Sequence, residues 1–178
     1  MAAYGGKDLA SAFRTVRKNT IQVAEDIPES KYGFVAAPEV RSVARMLAHV
    51  AISTRIFEEV HKKGLETLVG FDFFGMMDRF NAEEAKTRSK AEILELLRTE
   101  GEQFAAWMET LTPKILEETV TEPDGKTAKS RFERLLGAKE HEMHHRAQLM
   151  LIERQLGIVP HLTRQFNERA AQMRAARA

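Results

Sequence analysis

Three of the chain's six histidines fall within Lys139-Glu140-His141-Glu142-Met143-His144-His145-Arg146-Ala147-Gln148. On a helix His141 and His145 project from one side, one turn apart, the spacing at which two imidazoles can chelate one metal ion. At about 100° per residue His145 falls on the apolar stripe of Ala138, Leu149, Ile152 and Leu156, and His141 sits about 40° round, at its edge. The pair therefore faces an interior, where unpartnered imidazoles are costly to desolvate. His49 also faces inward, among Met46, Ile52, Ile56 and Val60. Taken singly, each reads as a hydrogen-bonded structural histidine. Three inward imidazoles on two helices point instead to one shared metal site of His49, His141 and His145.

The other histidines carry less. His61 stands in a last helical turn beside Lys62 and Lys63, where a surface cation complements the helix dipole. His161 follows Pro160 in a turn and is expected in solvent, and His144 is expected as a hydrogen-bonded flanking residue. The chain has no cysteine, which excludes disulfides, thiolate zinc sites, iron–sulfur ligation and a cysteine nucleophile. Any metal is held by nitrogen or oxygen. A carboxylate di-iron centre needs Glu-x-x-His on two helices, and the segment around His49 supplies no counterpart to Glu142-Met143-His144-His145. His141 to His145 also matches His-Glu-x-x-His, in which the Glu acts as general base. Glu142 lies about 60° from His145, at the margin of the apolar face, so a peptidase-like site is the lesser alternative.

Amphipathic helices must position these residues. Leu9, Phe13, Val16, Thr20, Val23 and Ile27 predict a helix from about Lys7 to Ile27, ended by Pro28. A second is expected from Pro38–Ser42 to about Lys63, stopped by Gly64. Residues 65–88, rich in Phe and Met, read as a short helix or loop plugging one end of a bundle. Ser89 and Glu92 form a capping box for a third helix, striped by Ile93, Leu97, Glu100, Phe104, Trp107 and Leu111. Residues 114–127 read as a short extended excursion. A fourth helix is expected from about Ala128 to Leu156, and a shorter one at about 162–178. Without a convincing strand pair, the fold class is all-α: a four-helix bundle with an additional C-terminal helix and at least one long crossover.

The phrases Ser42-Val43-Ala44-Arg45-Met46-Leu47-Ala48-His49 and His141-Glu142-Met143-His144-His145-Arg146-Ala147-Gln148, with Leu156-Gly157-Ile158-Val159-Pro160, resemble the DinB/YfiT-like family of bundle metalloproteins. The similarity covers roughly residues 7–160. It implies an up-down-down-up bundle, commonly dimeric, with zinc or nickel held by His49, His141 and His145. The family often has Gly before the Gln, where Ala147 stands here. Some relatives use a low-molecular-weight thiol in S-transfer or isomerisation. Three neutral imidazoles would leave a divalent ion's charge uncompensated and positions open for water or substrate. The same charge favours a substrate thiol as thiolate. The expected function is metal-dependent activation of such a thiol for S-transfer, with no catalytic side chain identified beyond the ligands. A metal-dependent hydrolase and a non-catalytic metal-binding or stress-response bundle are the alternatives.

With 178 residues, 43% hydrophobic and 30% charged, the chain reads as one domain with a core at about 7–160. A net charge of +1 gives no basic footprint for nucleic acid. No window suits a membrane span and the N-terminus turns polar too soon for a signal peptide, so a cytoplasmic protein with a small-molecule substrate is expected. Leu162, Phe166, Ala170, Met173 and Ala176 predict that the last helix docks on the bundle or across a homodimer, in preference to acting as a polybasic arm.

Overall fold

The first apolar stripe forms α1 (Gly6–Asp26), and Leu9, Phe13, Val16, Thr20, Val23 and the following Ile27 are all buried, as their spacing predicts. These positions belong to a computed structural model that describes residues 4–177. The second helical run is shorter than expected and divided. Ser42 caps α2 (Val43–Ile52) by accepting from the Arg45 amide, and α3 (Thr54–His61) follows after Ser53. The interruption has a local cause: Ser53 Oγ donates to the Val50 carbonyl at 2.9 Å and Thr54 Oγ1 to that of Ala51 at 3.3 Å. Hydroxyls bonding back along a helix compete with its amide ladder.

Residues 65–88 contain α4 (Phe73–Glu84), capped by Asp72. Met76 is buried in it and Phe71 and Phe80 are partly buried, but Phe73 and Phe74 are exposed, so half of this segment's phenylalanines do not plug the bundle. Ser89 and Glu92 form the expected capping box of α5 (Lys90–Glu109). The expected excursion proves to be α6 (Pro113–Glu117) followed by β1 (Thr119–Thr121), which pairs antiparallel with β2 (Ala128–Ser130). That strand pair delays α7 (Arg131–Gln155), which Ser130 and Glu133 cap. The chain leaves α7 through Gly157, whose φ of 78° suits a residue without Cβ, and enters α8 (His161–Ala175).

Side-chain clusters set the directions. One core joins Val23, Ile27, Val43, Leu47, Ile93, Leu149 and Ile152; the other joins Leu9, Phe13, Phe104, Leu135 and Ala138, with Phe57 against it. Thus α1 and α7 run from the second core to the first, whereas α2–α3 and α5 run the other way. The order is up-down-down-up, and residues 65–89 form the long crossover between the two parallel middle segments. α1, α2–α3, α5 and α7 make a four-helix bundle.

Between the two apolar cores lies a charged layer. Arg17 of α1, 4% exposed, pairs with Glu142 of α7, 1% exposed, at 2.9 Å. Its Nη1 donates to the Leu97 carbonyl of α5 at 2.7 Å and its Nη2 to the Val50 carbonyl of α2 at 3.2 Å. One guanidinium therefore ties all four bundle helices. Gly101 makes room for it, since a Cβ there would stand 2.8 Å from Arg17 Nη1 and 2.9 Å from its Cγ. Of the two dockings expected for the last helix, the one on the bundle is slight: His161 alone among the described residues of α8 is buried, and Phe166 and Met173 are largely exposed. Its hold on the bundle is confined to the first turn, through His161–Asn19, Thr163–Arg154 and Arg164–Asp26.

Candidate metal centre

α2 carries His49 and α7 carries His141 and His145, and the bundle brings all three together. His141 Nε2 lies 3.2 Å from His49 Nε2 and 3.2 Å from His145 Nε2. One nitrogen from each ring falls within 4.8 Å of the others. All three side chains are partly buried.

Groups behind the rings determine which nitrogen faces the centre. Glu84, at the last residue of α4, accepts from His49 Nδ1 at 3.0 Å. Burial works against its charge, yet hydrogen bonds from His49 and Arg41 and the fields of both hold its carboxyl down at about 2. An ionised carboxylate can only accept, so His49 Nδ1 carries a proton and Nε2 is the nitrogen turned to the other imidazoles. Gln148 Oε1, 2.8 Å from His145 Nδ1, does the same for His145. Burial, reinforced by the neighbouring imidazoles and Arg41, lowers His141 to about 4, so this ring is also neutral near pH 7. His145 is lowered by burial as well, with the Gln148 hydrogen bond opposing.

The protons do not close this arrangement. His141 Nε2 has only one proton or one lone pair to share between the Nε2 atoms of His49 and His145, while its buried Nδ1 has no partner among the described residues. A cation among the three Nε2 atoms would satisfy all of them at once, and three neutral nitrogen donors suit a divalent transition ion. The residues present fit such an ion.

Glu142 is elsewhere. Both its oxygens lie 3.0 Å from Arg17 Nε within the charged layer, so it is not placed as a base beside the histidines, and the His-Glu-x-x-His match lacks its general base. His144 is exposed, its ring 5.0 Å from that of His145 and its Nε2 3.3 Å from Gln148 Nε2. Two expectations are corrected. His61 is buried, not a surface cap: it lies 3.4 Å from Arg131 Nη1, and burial followed by the fields of Arg131 and Arg134 lowers it to about 4. The hairpin's Val120 and Leu68 of the crossover close over that end of α3 beside Val60. His161, expected in solvent, is 3% exposed and lies 3.3 Å from Asn19 Oδ1.

Glu84 and Gln148 are the residues that sequence reasoning missed. Gln148 stands in the phrase that carries the histidines, one turn beyond His144, where helical spacing could have flagged it. Glu84 gave no signal, because only the crossover's return places it behind His49.

With the fold and this centre described, the family follows. Residues 12–149 match the model of the DinB superfamily, and the chain belongs to that superfamily. It is 26% identical to the uncharacterized protein YjoA of Bacillus subtilis over 84% of this chain and 89% of that one. The crystal structure of the DinB-like YjoA superposes with a TM-score of 0.62 at 23% identity, over 84% of this chain and 91% of that one. YfiT from Bacillus subtilis, described as a probable metal-dependent hydrolase with an unusual four-helix bundle topology, gives 0.68 at 17% identity, over 89% and 91% of the two chains. At these identities the structural likeness establishes the fold alone.

Proposed function

We propose that His49, His141 and His145 hold one divalent ion, zinc or nickel, and that the protein is a metal-dependent enzyme activating a low-molecular-weight thiol for S-transfer to an electrophile. The observation carrying this reading is the convergence of three imidazole Nε2 atoms, two of the rings oriented by Glu84 and Gln148. A divalent ion there supplies Lewis acidity and, with no anionic ligand, open positions for substrate. The thiol loses its proton to solvent, its sulfur bonds to the electrophile, and the leaving group departs with the electron pair.

Hydrolysis is the second reading, favoured by the description of YfiT. Water needs more help than a thiol, whose unperturbed pKa is near 8.5. Here Glu142 is engaged by Arg17, and Glu84 by His49, Arg41 and Arg45, so neither carboxylate is free to take its proton. The absence of any cysteine keeps the open positions clear of an internal thiol. The exposed Met143 and Leu151 on α7, with Phe166 and Met173 on α8, support a homodimer that covers these faces.

Elemental mass spectrometry on tag-free protein tests the ligand set: about one zinc or nickel per chain is expected, lost in His145→Ala. Thiol consumption with an alkyl electrophile, against ester hydrolysis without thiol, then separates the two chemistries. No metal in either protein after incubation with zinc and nickel would leave a non-catalytic bundle.

A further inference from the structure

Gln148 holds His145 with a group whose two ends have opposite sense. A carboxamide presents an oxygen that only accepts and a nitrogen that only donates, on nearly the same shape. With Oε1 towards His145, as here at 2.8 Å, Nδ1 carries the proton and Nε2 is left for the centre. Turned over, the amide would offer an N–H to Nδ1, draw the His145 proton round to Nε2 and close that nitrogen to a cation. Glu84 behind His49 has no such wrong end, because both of its oxygens accept. Gln148 is exposed, so water would serve either orientation of its amide, and another group must choose between them. His144 is placed to do so. It stands one helical turn before Gln148, and the amide Nε2 lies 3.3 Å from the His144 Nε2. The amide nitrogen can only donate, so the His144 Nε2 accepts and the His144 proton sits on Nδ1. The His144 ring also meets that of His145 edge-on, with centroids 5.0 Å apart and planes at 79°.

We propose that His144 is a positioning residue for the metal centre: by accepting from the Gln148 amide it fixes which end of that amide faces His145, and so keeps the His145 Nε2 lone pair turned to the ion. One carboxamide couples an exposed ring to a ligand, and the coupling is reciprocal: an ion on His145 Nε2 holds the His144 proton on Nδ1. Substituting His144 therefore acts at the centre without removing a ligand. This assignment rests on the metal-centre reading above.

Metal-free protein at about pH 8, where an ordinary imidazole is neutral, gives the first readout, because long-range proton–nitrogen NMR distinguishes the two tautomers of each ring. Wild-type His145 is expected as the Nδ1–H form. His144→Phe keeps an aromatic edge against His145 but removes the acceptor, and should leave His145 as a mixture of both forms. Zinc affinity in a chelator competition should fall with it, about twofold where half the population is competent. Gln148→Glu supplies a carboxylate that accepts at either oxygen; in that background His144→Phe should change neither the tautomer nor the affinity. A single Nδ1–H form persisting in His144→Phe alone, or its absence from the wild type, would overturn the proposal. So would a mixture that survives Gln148→Glu, which would trace the effect to ring packing in place of the hydrogen bond. No zinc uptake by any of these proteins, with the tautomers as expected, would overturn the metal-centre reading and leave the amide coupling standing.

Discussion

Glu84 and Glu142 are both 1% exposed and both paired with arginine, yet only Glu84 touches an imidazole. Their substitutions should therefore separate. Glu84→Gln removes the anion that fixes the His49 tautomer, and metal affinity should fall 10- to 100-fold in a chelator competition, as for other outer partners of ligating histidines. Glu142→Gln should leave metal content unchanged but destabilise the protein by about 3–5 kcal/mol in urea, because Arg17 would be left buried and uncompensated. Loss of metal in Glu142→Gln, with stability preserved, would contradict this division. The three histidines were legible from helical periodicity alone. The roles of the two acids were not, since Glu142 at the margin of a stripe could face either neighbour, and only the packed bundle shows that Arg17 claims it.

Helices whose ends are set by local chemistry were the legible ones. The Ser89–Glu92 box and the Pro28 stop lie where the residues place them. The Ser130–Glu133 box has the same signature, but the helix starts later than the expected Ala128 because residues 128–130 pair as a strand with 119–121. The split at Ser53 depends on carbonyls shared with hydroxyls and with Arg17 from another helix, which periodicity cannot contain. α8 teaches the converse: a clean apolar stripe with almost nothing of this chain against it. Removing residues 167–178 keeps the His161, Thr163 and Arg164 contacts, so the melting temperature at low protein concentration should move by no more than about 2 °C. The same truncation should shift the mass in light scattering from dimer to monomer. A truncated chain that remains dimeric would place the interface elsewhere.

Across the whole molecule, buried titratable groups pull in opposite directions. His61 and His141 protonate near 4 in the folded chain against an ordinary 6.5, and His145 and His161 are shifted the same way. Between those values the unfolded chain binds more protons, so the stability these histidines contribute is complete above about pH 6.5 and is lost as pH falls towards 4. Glu153 does the reverse. It is fully buried with neither oxygen hydrogen-bonded among the described residues, and burial, aided by Asp26 against Arg164 and Arg154, raises it from 4.5 to about 7. Its folded form holds the extra proton, so its contribution is present below 4.5 and lost as pH rises through 7. The metal-free protein should melt at rising temperature from pH 4 to 6.5. Glu153→Gln should raise the melting temperature at pH 8 and converge on the wild type near pH 5; parallel curves at all pH values would refute the assignment.

The donors at the centre also have an order in time. His49 and His141 are 92 residues apart, with Glu84 between them and His145 last. A growing polypeptide that has released only its first half therefore offers one of the three imidazoles, and the adjacent pair arrives only with the final bundle helix. An ion held by all three imidazoles at once would therefore draw on the last bundle helix as well as on α2, and its binding energy would favour the packing of those two helices against each other.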